Sequence, residues 1–197
     1  DANGLISVLR HGFKHRGITF RVCYFKPESH LNKTATVLYQ QNVCNVVRQW
    51  HYSADNNKSV DMVLVINGIP VFALELKNQY TGQNVDNAKR QWMYDRDPRE
   101  LPFQFNKRIL AYFCVDHTDV FMATKLAKGD TYFLPYVLTE ISGSVIFAMF
   151  FYRQKITPTR VILSRFSICL FVNILLQTPI DMLYQYVYYG YNNVVLT

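Results

Sequence analysis

The chain has 197 residues, half of them apolar, with 14 Tyr and 14 Phe, which excludes a disordered polymer and suffices for one ordinary domain with a substantial core. Its 21 basic and 14 acidic side chains leave a net charge of +7, an excess that favours a polyanionic partner without requiring one. The four cysteines, Cys23, Cys44, Cys114 and Cys169, are scattered and form no CxxC pair, which argues against a zinc site and predicts free thiols in a reducing cytosol.

The chain opens at Asp1 with no signal peptide and no initiator Met, which predicts a fragment whose N-terminus lies upstream. "LISVLRHGF" (Leu5 to Phe13) has helical spacing, and "ITFRVCYF" (Ile18 to Phe25) alternates as a strand does, ending at Lys26-Pro27. "ATVLYQQNVCNVVRQWHY" begins like a helix and finishes like a strand. Two β-branched runs follow, Val60–Val65 and Ile69–Lys77, joined at Asn67-Gly68, a strong hairpin signal. "QNVDNAKRQWMY" (Gln83 to Tyr94) reads as a helix whose apolar stripe is Val85, Ala88, Trp92 and Met93. After the breaker "RDPREL", two more strands, Arg108 to Val115 and Val120 to Leu126, surround a turn at Asp116–Asp119.

The hairpin sets Asp61, Glu75 and Lys77 into otherwise apolar strands. A two-residue turn pairs Ile66 with Ile69, places Asp61 opposite Leu74 and points it away from Glu75. A three-residue loop with Gly68 left-handed pairs Val65 with Ile69, sets Asp61 opposite Ala73 and brings Asp61, Glu75 and Lys77 to one face. Diagonal neighbours then lie roughly 7–8 Å apart, within reach of a shared cation. Unpaired buried carboxylates cost several kcal/mol, so the cluster calls for a counter-ion and the chemistry predicts the bulged loop. A hard divalent cation such as Mg2+ fits, since it takes one or two carboxylates and keeps waters for substrate phosphates. Lys77 would orient or help deprotonate the attacking water and offset phosphate charge. The plain alternative is a Glu75–Lys77 surface pair on an edge strand beside a loop-end Asp61. Against it stands the apolar character of both faces of Met62–Ile66 and Val71–Leu76, which is that of a buried central strand.

"VDMVLVINGIPVFALELKN", then "TGQNVDNAKRQW" and "DRDPREL", closely resembles the nuclease domain of the restriction (R) subunit of type I restriction-modification enzymes. The likeness runs over most of residues 4–135, through "LRHGFK", "FRVCYFKP", "RQWHYS", "VDHTDVFMATKL" and "DTYFLP". It implies an α/β, restriction-endonuclease-like PD-(D/E)xK fold, a mixed β-sheet flanked by helices that cuts DNA with Mg2+. Asp61 and Glu75 would be metal ligands, the Leu76 carbonyl a third, and Lys77 the catalytic lysine. The family's helix-borne glutamine falls at Gln91, and its tyrosine at Tyr94, one residue short of the usual Q-x-x-x-Y spacing. Lys89, Arg90, Arg96 and Arg99 could hold DNA phosphates, although Arg96 and Arg99 flank Asp97 and could simply brace a loop. The five histidines form no ligand spacing. An upstream acidic residue used by many such nucleases is either missing or is Glu28.

The resemblance implies a bacterial or archaeal cytoplasmic protein that works with modification and specificity subunits, with no membrane expected. No G-x-x-x-x-G-K-[ST] sequence occurs, so ATP binding would belong to the motor region of a longer parent. The rival readings are a stand-alone nuclease of the same superfold and a catalytically silent fragment that only binds DNA or partner subunits.

The domain division predicted is residues 1–135 as the endonuclease domain, truncated at its N-terminus, and 136–197 as an apolar tail. That tail carries only Glu140, Arg153, Lys155, Arg160, Arg165 and Asp181 as charges, and its apolar runs fall short of the roughly 20 residues of a membrane span. Charge and resemblance stop together near Pro135, which predicts a shift of reading frame there and a non-native tail. A genuine apolar segment that docks on a partner or membrane is the alternative.

Overall fold

A computed structural model of the chain describes residues 4–27, 31–116 and 118–135. These residues all belong to the unit Asp1–Tyr136. The tail, its proposed frame shift, Glu28 and Cys169 lie outside them, as do His30 and His117.

Helix α1 (Gly4–His11) buries Leu5, Ile6 and Leu9 as one stripe. It stops at Gly12, whose φ of +74° favours glycine and where a Cβ would meet the Phe20 carbonyl oxygen at 2.1 Å. The strand expected over Ile18–Phe25 is shorter. Only β2 (Ile18–Phe20) forms, paired with β1 (Phe13–His15) around a left-handed Arg16-Gly17 turn. Phe13 has therefore left the helix, and its ring stacks on Phe20 at 5.2 Å. Helix α2 (Lys33–Gln40) is capped by Asn32, whose side chain accepts from the Ala35 N–H, and gives way to β3 (Cys44–His51).

The main sheet has six strands in the order β3-β4-β5-β6-β7-β8, with β4 (Ser59–Ile66) and β5 (Ile69–Leu76) near its centre. Strands β5 and β6 (Ala111–Val115) run parallel, and every other neighbouring pair is antiparallel, including β7 (Val120–Ala123) and β8 (Leu134–Pro135). A parallel pair needs a crossover, and α3 (Val85–Arg90) lies within it. Asn84 caps α3 in a reciprocal arrangement with Asn87, and the buried Asp116 carboxylate accepts from the Val85 N–H at 3.0 Å. Val85, Ala88 and Trp92 pack on Val63, Ala73, Tyr112 and Cys114 of the sheet. Trp92 is fully buried, and its indole N–H donates to the Phe113 carbonyl at 3.1 Å. Met93, expected in the same stripe, is only half-buried.

The hairpin departs from the predicted loop. Asn67 (φ +49°) and Gly68 (φ +84°) are both left-handed, and Ile66 pairs with Ile69, so the turn has two residues. The Asn67 side chain fixes it by accepting from the Val43 N–H and donating to the Val22 carbonyl. The extra residue sits inside β5 instead: Val65 pairs with Pro70 but Leu64 pairs with Phe72, leaving Val71 unopposed. Pro70 has no N–H to give the ladder, which makes that position the natural place for the break. Val71 turns its carbonyl to the Leu110 N–H at 2.8 Å.

Candidate active site

The bulge in β5 does what the three-residue loop was expected to do. Beyond it Val63 pairs with Ala73 and Met62 with Leu74, so the next pair in this register is Asp61 with Glu75. The two carboxylates are directly opposed and share a face, where the unbulged two-residue turn would have separated them. The diagonal placement opposite Ala73 is thus replaced by a closer one.

Glu75 is 0% exposed. Its Oε1 accepts from the Arg96 guanidinium at 2.7 Å, while Oε2 is buried and has no hydrogen-bond partner among the described residues. Burial, and then the facing Asp61, push its carboxyl up to about 8 against the opposing pull of Arg96 and Lys77. Asp61 is half-buried. Its Oδ2 accepts from the Leu76 N–H at 2.9 Å and its Oδ1 from Gln49 Nε2 at 3.0 Å. Leu76, whose carbonyl is the third ligand the resemblance implies, is the last residue of β5.

Lys77 and Gln91 meet: the ammonium donates to Gln91 Oε1 at 2.5 Å. Gln91 opens a π-helical turn, Gln91–Asp95, that continues α3. Such wide turns shift the side chains that follow and recur at functional sites. Here the turn keeps Trp92 in the core and leaves Tyr94 70% exposed. Tyr94 is therefore presented to solvent.

Of the four basic residues suggested as phosphate contacts, Arg96 is the clearest correction. It is 4% exposed, bonded to Glu75 and to the Ser59 carbonyl at 2.6 Å, and it lies beside the rings of Tyr52 and Trp92. A buried glutamate needs a cation, and the chain supplies this one from the end of the helical crossover. Arg99 is exposed and grips Asp97 as the loop-brace alternative expects, with its shortest contact at 2.7 Å. Lys89 pairs with Asp86 at 3.2 Å and lies 3.4 Å from the Phe121 ring centroid, whereas Arg90 is exposed on α3. Sequence reasoning missed the Arg96–Glu75 pair, whose only sequence signal was the need of a buried Glu75 for a counter-ion. It also missed Gln49, whose side-chain contact with Asp61 depends on a backbone turn inside a strand that no local residue pattern announces.

Residues 21–131 match the profile of the type I restriction enzyme R protein N terminus. The chain belongs to that family. Its six-stranded mixed sheet with flanking helices is the restriction-endonuclease-like fold that the sequence predicts. No curated protein and no solved structure matches the chain. Among the described residues no helix is long and apolar enough to cross a membrane.

The donor set fits a hard divalent cation. Glu75 Oε2 is a buried oxygen without a hydrogen-bond partner among the described residues, which a cation would take in exchange for the carboxyl proton. Each Asp61 oxygen has accepted one hydrogen bond, which leaves further lone pairs. Among the described residues no three His, Cys, Asp or Glu side chains gather in one group, so a cation here would lean on backbone and water for its remaining ligands. Cys23 and Cys114 are free thiols.

Proposed function

We propose that this chain carries an Mg2+-dependent endonuclease centre that hydrolyses DNA phosphodiester bonds within a type I restriction complex. The observation that carries the reading is the bulged β4–β5 register, which continued one step past Met62–Leu74 sets Asp61 opposite Glu75, with one buried Glu75 oxygen left without a partner among the described residues. Asp61, Glu75 and the Leu76 carbonyl would hold the cation, which supplies Lewis acidity at the phosphate and a more acidic water. Lys77, steadied through Gln91, presents its ammonium where it can meet a phosphate oxygen or the attacking water. Arg90, exposed on α3, would hold a neighbouring phosphate, a contact that fixes register without reading bases. Modification and specificity subunits would supply recognition, and a motor in a longer parent would supply ATP-driven movement.

A second reading has its own support. Arg96 already occupies Glu75 Oε1, so a protein cation partly fills the role of the metal, as in a domain that binds DNA or partner subunits without cutting. The two are separated by incubating the whole chain with supercoiled plasmid and Mg2+. Nicked and linear products that disappear in Asp61→Asn support the nuclease. Intact plasmid alongside retained DNA binding supports the silent domain.

A further inference from the structure

We propose that Gln49 is a positioning residue for the cation site: held left-handed inside β3, it donates to Asp61 and fixes the carboxylate that faces Glu75. The inference rests on the cation-site reading above and deepens it.

Strand β3 pairs with β4 in one unbroken register, Val47 with Val63 and Arg48 with Met62, then Trp50 with Val60 and His51 with Ser59. The single position missing from the ladder is Gln49, which lies across from Asp61. Its φ is +48°, the left-handed region that costs a side-chain-bearing residue stability and that a β-strand does not call for. Such strain persists where the surroundings hold it, and here the side chain shows what does. Gln49 Nε2 donates to Asp61 Oδ1 at 3.0 Å, and Gln49 Oε1 accepts from the Ser59 hydroxyl at 2.9 Å.

The amide can face only one way. An ionised carboxylate accepts and never donates, so the NH2 end must point at Asp61 and the oxygen at Ser59. With the Leu76 N–H on Oδ2, each Asp61 oxygen is held by one donor from a different neighbouring strand. Asp61 therefore sits clamped between β3 and β5, with its rotamer set before any cation arrives. Partners of this kind orient ligands in metal sites, and their loss typically weakens metal affinity about 10–100-fold.

The backbone strain gives the test its edge. Gln49→Gly removes the donor and relieves the left-handed conformation, so a purely structural role and a positioning role move different readouts. Gln49→Asn is a second variant that tolerates the same backbone but is one methylene too short to span Ser59 and Asp61. The whole chain and both variants are titrated with Mn2+ by calorimetry, and thermal midpoints are recorded without metal. The expected result is a Mn2+ Kd raised about tenfold in both variants, with the Gln49→Gly midpoint equal to or above that of the parent. Affinity within twofold of the parent in either folded variant overturns the role of Gln49 while leaving the cation site standing. No saturable binding by the parent overturns both.

Discussion

Replacing Arg96 by Met isolates the electrostatics of the buried centre. The substitution keeps most of the side-chain volume against Tyr52 and Trp92 but removes the cation 2.7 Å from Glu75 Oε1 and the donor 2.6 Å from the Ser59 carbonyl. At pH 6 the Glu75 carboxyl, raised to about 8, carries a proton in the folded parent. The loss is then mainly that of hydrogen bonds from a charged donor, about 2–3 kcal/mol. At pH 9 the parent holds Glu75 ionised beside Arg96, and breaking that pair costs about 3–5 kcal/mol.

The sign follows from linkage. The unfolded carboxyl titrates at its ordinary 4.5, so the contribution of the raised folded value is complete below 4.5 and is lost as pH rises toward 8. Arg96 pulls that value down, so without it the decline continues above 8 at about 1.4 kcal/mol per pH unit. Urea unfolding in EDTA, followed by tryptophan fluorescence at pH 6 and pH 9, reads both costs. A destabilisation equal at the two pH values, or smaller at pH 9, would refute the placement of Arg96 as the counter-ion of Glu75.

Asp116→Ala strips the acceptor from the N–H groups of Val85, Thr118 and Asp119, and about 1–3 kcal/mol of stability should go with it in chemical denaturation. Although burial works against it, the backbone donors of Asp119, Thr118 and Val85 hold the Asp116 carboxyl below its ordinary value. Its contribution is therefore present above the unfolded pKa and lost as pH falls through the lowered one, so Asp116→Asn should flatten the acid limb of the pH–stability curve. Lys77→Met should leave calorimetric Mn2+ affinity near that of the parent while abolishing plasmid cleavage; unchanged cleavage would remove Lys77 from the chemistry. Gly68→Ala meets no atom within 4 Å, so its cost comes from the φ of +84° alone and should be about 1 kcal/mol by thermal unfolding.

The strands and their faces were legible because β-branched runs with an Asn-Gly between them admit few arrangements, and the crossover helix announced itself through Val85, Ala88 and Trp92. The loop was misjudged for a specific reason. Asn67-Gly68 strongly favours a two-residue turn, and the one-residue correction that reunites Asp61 with Glu75 came from Pro70, which cannot donate to the ladder. The face shared by the carboxylates was readable because their chemistry demanded it, while the route to it was not. Arg96 shows the opposite limit: charge alone suggests a surface contact, and only the packing of the crossover against β5 carries that side chain inward. Gln49 was invisible because left-handed backbone inside a strand leaves no periodic trace. The π-turn at Gln91–Asp95 was equally silent, and it sends Gln91 to Lys77 while leaving Tyr94 in solvent.

The most direct test of the centre is a calorimetric titration of the whole chain with Mg2+ and Mn2+, beside Asp61→Ala and Glu75→Ala. The account predicts one saturable site in the parent that is lost in both variants while each remains folded. Binding that survives either substitution, or a folded parent that binds neither cation, would contradict it.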